Sequence, residues 1–243
     1  MFDIMETGRC TTLVAALALL FSGPVRARVP AISERFKVRS IEVDDTTNGT
    51  VVLEQLLIMD PVIQRSRMVA DGQLVNGHME QIVRCDGKDS SENGYFLDIE
   101  GPSATQTQCV NMSRTCTPFS TFWDFPANIS DLGKSALPPG TTWPHSGTDF
   151  NKFEYWEENE RYELYTSTAE TGTVRNSNAT DTPVWMGKVS IADPAHHLWH
   201  FEYRSFQAGE APAEDYAPPA GIVCPPQQES RPARDFPKFA LRL

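Results

Sequence analysis

Residues 150–167, FNKFEYWEENERYELYTS, hold two runs of alternating apolar and polar side chains around a short acidic turn. In the second run, Tyr162 and Leu164 fall on one side of an extended chain and Glu163 falls on the other. Alternation with a period of two is typical of a β-strand with one buried face. The stretch therefore predicts a β-hairpin with residues 157–160 at its tip.

Short strands are predicted along most of the remaining chain. In 36–43, Phe36 and Val38 fall on one face and Ile41 and Val43 on the other, which indicates a β-bulge. Residues 117–137 interrupt the pattern, and Asn128 or Ser130 is a candidate N-cap for a short helix in that stretch. The sequence thus predicts an antiparallel β domain with one helical or loop insertion. The other predicted strands are 50–59, 78–85, 95–99, 183–191 and 197–203, with a returning strand after Pro61.

The composition excludes several classes of protein. The 243 residues are 40% apolar and 22% charged, which is too apolar for a disordered chain. The formal net charge of −11 argues against a nucleic-acid partner, because binding to phosphates needs clustered basic side chains. Eighteen prolines and fifteen glycines, scattered among short apolar runs, disfavour a mostly helical fold.

The first 27 residues have the layout of a secretory signal peptide. Residues 12–21, TLVAALALLF, form an apolar run, and Val25 and Ala27 stand at the −3 and −1 positions of a cleavage site. The run is shorter than the ~20 residues that span a bilayer, so no membrane span is predicted; a buried N-terminal helix is the alternative. We predict a signal peptide at 1–27, a single β domain at 28–226 and a flexible Pro-rich tail at 227–243. The mature chain is expected to be secreted or lysosomal.

Sequons and cysteines agree with that location. Glycosylation is predicted at four Asn-x-Ser/Thr sites, namely Asn48, Asn111, Asn128 and Asn178. Four cysteines remain after removal of the signal, and in an oxidising compartment they predict two disulfides with three possible pairings. A metal site is the rival use, but no CxxC pair is present. The four are Cys85, Cys109, Cys116 and Cys224.

Catalytic signatures are mostly absent from the sequence, which holds no GxSxG, HExxH, P-loop or GxGxxG motif. In an extended strand, His196, His200 and Glu202 share a face and form a possible metal site, with a solvated strand face as the alternative. No resident cofactor or metal is predicted. Calcium is possible at an acidic stretch that otherwise indicates a solvated hairpin tip, comprising Glu154, Glu157, Glu158, Glu160 and Glu163.

Aromatic residues offer a candidate binding site. Several crowd into the interrupted stretch and others fall in predicted strands, a distribution that suits either an ordinary core or a concave apolar pocket. We predict a pocket for a hydrophobic small molecule or lipid. Its candidate residues are Phe122, Trp123, Phe125, Trp156, Trp185, Trp199 and Phe201.

The order of segments resembles that of ependymin-related proteins and their LolA-like relatives. The resemblance runs from Phe36 to Pro226. This region is also similar to the non-catalytic β domain that precedes some protist papain-like proteases. The early cysteine expected in ependymins is absent here. The matching motifs are MDPVIQRSRM (59–68), GYFLDIEG (94–101) followed by a Cys, FWDFPANISDLG (122–133), PVWMGKV (183–189), WHFEYRSF (199–206) and Cys224-Pro225.

The resemblance implies a mainly β fold, a strongly curved antiparallel sheet of half-barrel form with the short helical or loop insertion in its concave face. It also implies a glycosylated, non-catalytic protein that binds lipid-like ligands. We place Arg65 and Arg67 as candidate partners for an anionic headgroup, or simply as exposed strand arginines. The alternatives are an extracellular protein–protein interaction module, including a homodimer or a receptor-binding protein, and a secreted hydrolase.

Overall fold

A computed structural model describes residues 28–75, 77–84, 95–100, 106–111, 122–141, 149–168 and 180–217, and most of them lie in β-strands. The described part also holds three short 3-10 helices and no α-helix. The helices are Asp45–Thr47, Gln73–Val75 and Ala213–Tyr216. The strands are β1 (Phe36–Asp44), β2 (Thr50–Asp60), β3 (Arg65–Gly72), β4 (Gly77–Arg84), β5 (Tyr95–Glu100), β6 (Gln106–Asn111), β7 (Ser130–Ser135), β8 (Phe150–Glu157), β9 (Glu160–Thr168), β10 (Asp181–Val189) and β11 (His197–Ala208).

These strands form one antiparallel sheet in the order β6-β5-β4-β3-β2-β1-β11-β10-β9-β8-β7. Consecutive strands pair within two meanders, β1 to β6 and β7 to β11. The meanders meet where the first strand pairs with the last, with Phe36 opposite Ala208 and Asp44 opposite Trp199. The prediction of a mainly β, antiparallel fold is confirmed, and the described sheet is open, with β6 and β7 at its two ends.

The predicted hairpin is formed by β8 and β9. Its two tip residues, Glu158 and Asn159, have φ angles of 48° and 69°. Two positive φ angles in succession give the twist that a two-residue hairpin loop needs, and asparagine adopts this conformation readily. Across the pair, Tyr155 lies opposite Tyr162, and Phe153 lies opposite Leu164. The bulge expected in 36–43 also has a counterpart, a register shift between Arg39 and Ser40 against β11.

The prediction of a short helix capped by Asn128 or Ser130 is wrong. Ser130 begins strand β7, which pairs with β8 at the end of the sheet. The Asn128 side chain extends this pairing, since its Nδ2 donates to the Trp156 carbonyl oxygen at 2.8 Å and its Oδ1 accepts from the Trp156 amide at 3.4 Å. Strand β7 has no buried residue, so it carries no apolar alternation from which a strand is predictable.

The sheet has two chemically different faces. We call the one that carries the main buried cluster the aromatic face; it crosses eight adjacent strands from β4 to β8. The opposite face carries two smaller clusters, one centred on Trp185 and one in which Tyr216 and Ala211 cover Ile58. The aromatic face is built by Phe36, Val38, Leu53, Leu57, Met68, Ala70, Met79, Phe153, Tyr155, Tyr162, Leu164, Met186 and Tyr203.

A buried carboxylate at the start of β10 holds the segment that precedes β1. Asp181 is 1% exposed and accepts two bonds from Arg28 Nη2, at 2.7 and 2.8 Å. It also accepts from the Ala31 amide at 3.0 Å and from the Thr166 hydroxyl at 2.9 Å. Arg28 is the first residue after the predicted signal-cleavage position, so this network fixes the beginning of the predicted mature chain on the sheet.

Some predictions fall outside the described residues. These are the signal peptide, the C-terminal tail, Asn178 and three cysteines, Cys85, Cys116 and Cys224. Cys109 and Asn111 belong to strand β6. Within the described ranges, no helix combines the length and apolar character that crossing a membrane requires.

Candidate ligand-binding site

Seven aromatic side chains form a closed series of ring contacts on the aromatic face, which we call the aromatic circuit. Neighbouring ring centroids are 5.1 to 6.3 Å apart, within the range of favourable aromatic pairs. Two members come from the segment before β7, and the other five come from β8, β9 and β11. In order, the circuit is Trp123, Phe125, Tyr155, Tyr162, Trp199, Phe201, Tyr203 and back to Trp123.

Strand geometry explains how the circuit is assembled. Trp199, Phe201 and Tyr203 alternate along β11, so their side chains project on the same side of the sheet. Tyr155 and Tyr162 are directly opposite each other on β8 and β9. Strand β10 runs between β9 and β11, so its residues on this face lie within the circuit.

Met186 on β10 lies inside the circuit and is fully buried. Its sulfur is approached by two phenolic hydroxyls from different sides, Tyr155 at 3.7 Å and Tyr203 at 4.0 Å. A thioether is a weak acceptor, and methionine is a flexible side chain that fills irregular space. The interior of the circuit therefore combines a flexible apolar side chain, that of Met186, with two hydroxyl donors that have only a weak acceptor.

Burial fixes the protonation state of these tyrosines. Loss of solvent raises the pKa of Tyr155 and Tyr203 above the ordinary value of 10, and the charge of Glu157 raises the pKa of Tyr155 further. Both hydroxyls therefore remain protonated donors throughout the physiological pH range. A third buried donor in the circuit, Trp123 Nε1, has no hydrogen-bond partner in the part of the chain that the structure describes.

A charged pair marks the rim of the circuit. Lys188 follows Met186 by two residues on β10 and forms an ion pair with Glu160. The same glutamate accepts a hydrogen bond from the Tyr162 hydroxyl at 2.6 Å. The charge on Lys188 is thus already neutralised by a protein carboxylate beside the aromatic rings.

The structure divides the seven predicted pocket residues between the two faces. Five of them pack with the main buried cluster, namely Phe122, Trp123, Phe125, Trp199 and Phe201. Trp156 and Trp185 do not belong with them, because alternation along β8 and β10 turns both toward the opposite face. The tyrosines at 155, 162 and 203 and Met186 were missed as site residues. For Tyr203 the sequence did carry a signal, because strand alternation places its side chain on the same face as those of Trp199 and Phe201.

Arg65 and Arg67 also lie away from the aromatic face. On β3 they alternate with Met68, which belongs to the aromatic face. Arg67 instead forms an ion pair with Glu80 at 2.6 Å and donates to the Asp215 carbonyl oxygen at 3.0 Å. The prediction that these arginines line the mouth of an apolar pocket is therefore wrong, since their strand positions face the other side.

The acidic residues of the β8–β9 hairpin are engaged with cations rather than gathered around one point. Glu154 pairs with Arg161 at 2.6 Å, and Glu163 pairs with Lys152 at 2.8 Å. Burial by itself raises the pKa of Glu163. Hydrogen bonds from His197 and Lys152, together with the charge of Lys152, have the larger combined effect and lower it to about 2. Among the described residues, no three His, Cys, Asp or Glu side chains are arranged to hold a metal ion.

His200 is part of a polar network on the opposite face. Its Nδ1 is 2.8 Å from Asp45 Oδ2, its Nε2 is 3.5 Å from Glu202 Oε1, and its ring stacks on Trp185. Glu202 shares the face as predicted, whereas His196 lies apart, in the exposed turn before β11, beside Asp193. Burial lowers the pKa of His200, but the hydrogen bonds and charges of Asp45 and Glu202 raise it more, to about 9.

This network predicts a loss of stability at alkaline pH. Because the folded pKa of about 9 lies above the ordinary 6.5, the stabilisation is complete below pH 6.5 and is lost as pH rises through 9. We expect the free energy of unfolding to fall by on the order of 3 kcal/mol across that interval. Urea denaturation at several pH values measures it. His200→Gln is expected to flatten the pH profile of the unfolding free energy, whereas the control variant His196→Gln is expected to leave that profile unchanged. If the profile of His200→Gln matches that of the unmodified protein, the assignment of the effect to His200 is contradicted.

Comparisons with known proteins do not assign a family. No protein-family model matches the chain, and no curated protein matches it. Among solved structures, the chain is similar to the crystal structure of an uncharacterized conserved protein from Thermus thermophilus, at 11% sequence identity. That match covers 80% of this chain and 91% of the other, and its TM-score of 0.33 is too low to carry an argument about fold or function.

Proposed function

We propose that this chain is a secreted or lysosomal, non-catalytic protein that binds a hydrophobic, lipid-like ligand at the aromatic circuit. The carrying observation is the circuit itself, a closed series of seven rings around a buried methionine. Phe125, Trp199 and Phe201 are only partly buried, so the circuit has accessible apolar surface. Exposed, contiguous apolar surface of this kind is a common sign of a binding site.

The driving force of this binding is the burial of hydrocarbon. Each CH₂ group that leaves water contributes about 0.8 kcal/mol. A tail of roughly 16 carbons therefore contributes several kcal/mol after the cost of ordering the chain. No directional chemistry is needed for this part of the affinity, which suits a surface made of aromatic rings and a methionine.

The segment before β7 supports the proposal of an insertion that lies on the aromatic face. Phe122 and Trp123 contact Phe36 on β1, and Phe125 contacts Tyr155 on β8. Strands β11, β10 and β9 separate β1 from β8, so the segment lies across five neighbouring strands. We propose that the sheet curves around this segment, which then occupies its concave side.

Export through the secretory pathway completes the proposal. Asn48 is exposed and lies in a turn with φ of 60°, and Asn128 is exposed beside β8. Glycans at these two positions project into solvent. Disulfides among the four predicted cysteines, and the resemblance to ependymin-related and LolA-like proteins, remain part of this proposal.

The proposal predicts ligand uptake that depends on the aromatic face. Protein from a eukaryotic secretory host is expected to carry lipid in native mass spectrometry and to bind a fluorescent fatty-acid ester. Trp199→Ala is expected to weaken uptake at least about tenfold, because it opens the circuit. Trp156→Ala is the matched control, since Trp156 is 43% exposed on the opposite face.

Other outcomes favour the alternatives. An apo mass only, with no uptake by the unmodified protein, contradicts lipid binding. An obligate dimer in light scattering, lost in Trp199→Ala, favours an interaction module in which a second chain covers the aromatic face.

A further inference from the structure

Three buried hydrogen-bond donors belong to the aromatic circuit, and none of them has a strong acceptor among the described residues. Within the described ranges, the hydroxyls of Tyr155 and Tyr203 bond to the Met186 sulfur alone, and Trp123 Nε1 has no hydrogen-bond partner. Tyr155 is 3% exposed, Tyr203 is 6% and Trp123 is 8%. Buried donors are satisfied in the great majority of folded proteins, so three in one apolar site call for a specific explanation.

A simple hydrocarbon site does not need these donors. A phenylalanine at each tyrosine position would supply the same ring without a hydroxyl to desolvate. An unsatisfied donor is costly when buried, and an acceptor supplied from outside recovers that cost. The arrangement is therefore suited to a guest that brings its own oxygen acceptor into the apolar interior.

We propose that the ligand bound by the aromatic circuit is an acyl ester, whose carbonyl oxygen accepts hydrogen bonds from the Tyr155 and Tyr203 hydroxyls beside Met186 while its hydrocarbon chain packs on the aromatic rings. This inference rests on the proposed function, because it names the chemical class of the ligand held at the same site. Met186 moves aside as the ester enters, since its unbranched side chain has several accessible rotamers.

The charge pattern favours a neutral carbonyl over an ionised carboxylate. Lys188 at the rim is already paired with Glu160, and Arg28 on the same face is paired with Asp181. An anion placed beside the buried tyrosines would lose its hydration without gaining an unpaired cation from the described residues of this face. A carbonyl dipole carries no such cost and uses the same donors.

Competition with chain-matched probes tests the ligand class in the unmodified protein. A fluorescent polyene methyl ester is displaced by methyl palmitate, palmitate at pH 8 and hexadecane, each presented from a cyclodextrin complex. We expect methyl palmitate to compete at least about tenfold better than either of the others. If none of the probes binds, the proposed function itself is wrong. If hexadecane or palmitate competes as well as the ester, lipid binding stands and the ester inference fails.

Hydroxyl-deletion variants test the donors directly. Tyr155→Phe with Tyr203→Phe is expected to weaken methyl palmitate binding about ten- to thirtyfold and to leave hexadecane binding within twofold. Tyr165→Phe is the matched control, because its ring packs on the opposite face and its hydroxyl donates to Glu163 at 3.2 Å. Equal losses for ester and hydrocarbon, or no loss for either, overturn the role of the donors. Urea denaturation checks folding, and if the double variant unfolds, the competition ratios of the unmodified protein decide the question.

Discussion

Replacing Asp181 with alanine is expected to lower the free energy of unfolding by about 3–5 kcal/mol. The carboxylate is buried, and its loss leaves the Ala31 amide, the Thr166 hydroxyl and the Arg28 guanidinium without their acceptor. The cost comes mainly from the buried Thr166 hydroxyl and Asn151 amide, each of which loses its acceptor at about 1–3 kcal/mol, whereas Arg28 is exposed to water. Urea denaturation of the predicted mature chain measures the effect.

Two other variants make this expectation specific. Asp193→Ala is the matched control, because Asp193 is exposed in the turn before β11 and its change should cost less than about 0.5 kcal/mol. Asp181→Asn keeps the shape and some acceptor capacity, so an intermediate loss is expected. A loss in Asp181→Ala no greater than in Asp193→Ala would show that the segment before β1 contributes nothing to stability.

Adding one methyl group at Gly187 is expected to destabilise the protein by about 1–3 kcal/mol. A Cβ atom at this position would overlap the indole of Trp185, with Cζ2 and Cζ3 both at 2.9 Å. Trp185 has no free space to give way, since Tyr165, His197 and His200 surround its ring at centroid distances of 4.8 to 5.4 Å. Overpacking of a filled core costs this much.

A double-mutant cycle identifies the collision as the cause. In a Trp185→Leu background the indole is absent, so Gly187→Ala should cost less than about 1 kcal/mol. The coupling energy between the two positions is the measured quantity. Additive effects of the two changes would mean that the glycine is required for a reason other than the space above it.

The sequence predicts the strands of this protein well where one face is apolar. Residues 150–167 alternate in the way that β8 and β9 require, and the predicted strand at 36–43 differs from β1 by one residue. Strand β7, in contrast, has no buried residue and lies at the end of the sheet. Its residues carry no periodic signal, and Asn128 therefore looked like a helix cap when its side chain in fact pairs with Trp156.

The candidate site was predictable only in part. The clustering of aromatic residues in the sequence identified Trp123, Phe125, Trp199 and Phe201 as candidate site residues. Alternation along one strand also placed Trp199 and Phe201 on the same face. The circuit also depends on which strands are neighbours, because Tyr162 reaches Trp199 across β10. Pairing between distant strands is not encoded in local periodicity, so Trp156 and Trp185 could not be separated from the set by composition alone.

The pairing of β1 with β11 determines when the two meanders can join during folding. A ribosome delivers the first meander early, yet β1 has no neighbour on one side until the last strand has emerged. Most of the synthesis time therefore passes with a long row of unpaired amides and carbonyls in the middle of the future sheet, a template for wrong pairing. We expect such a nascent chain to depend on chaperones until β11 is available to join its two halves.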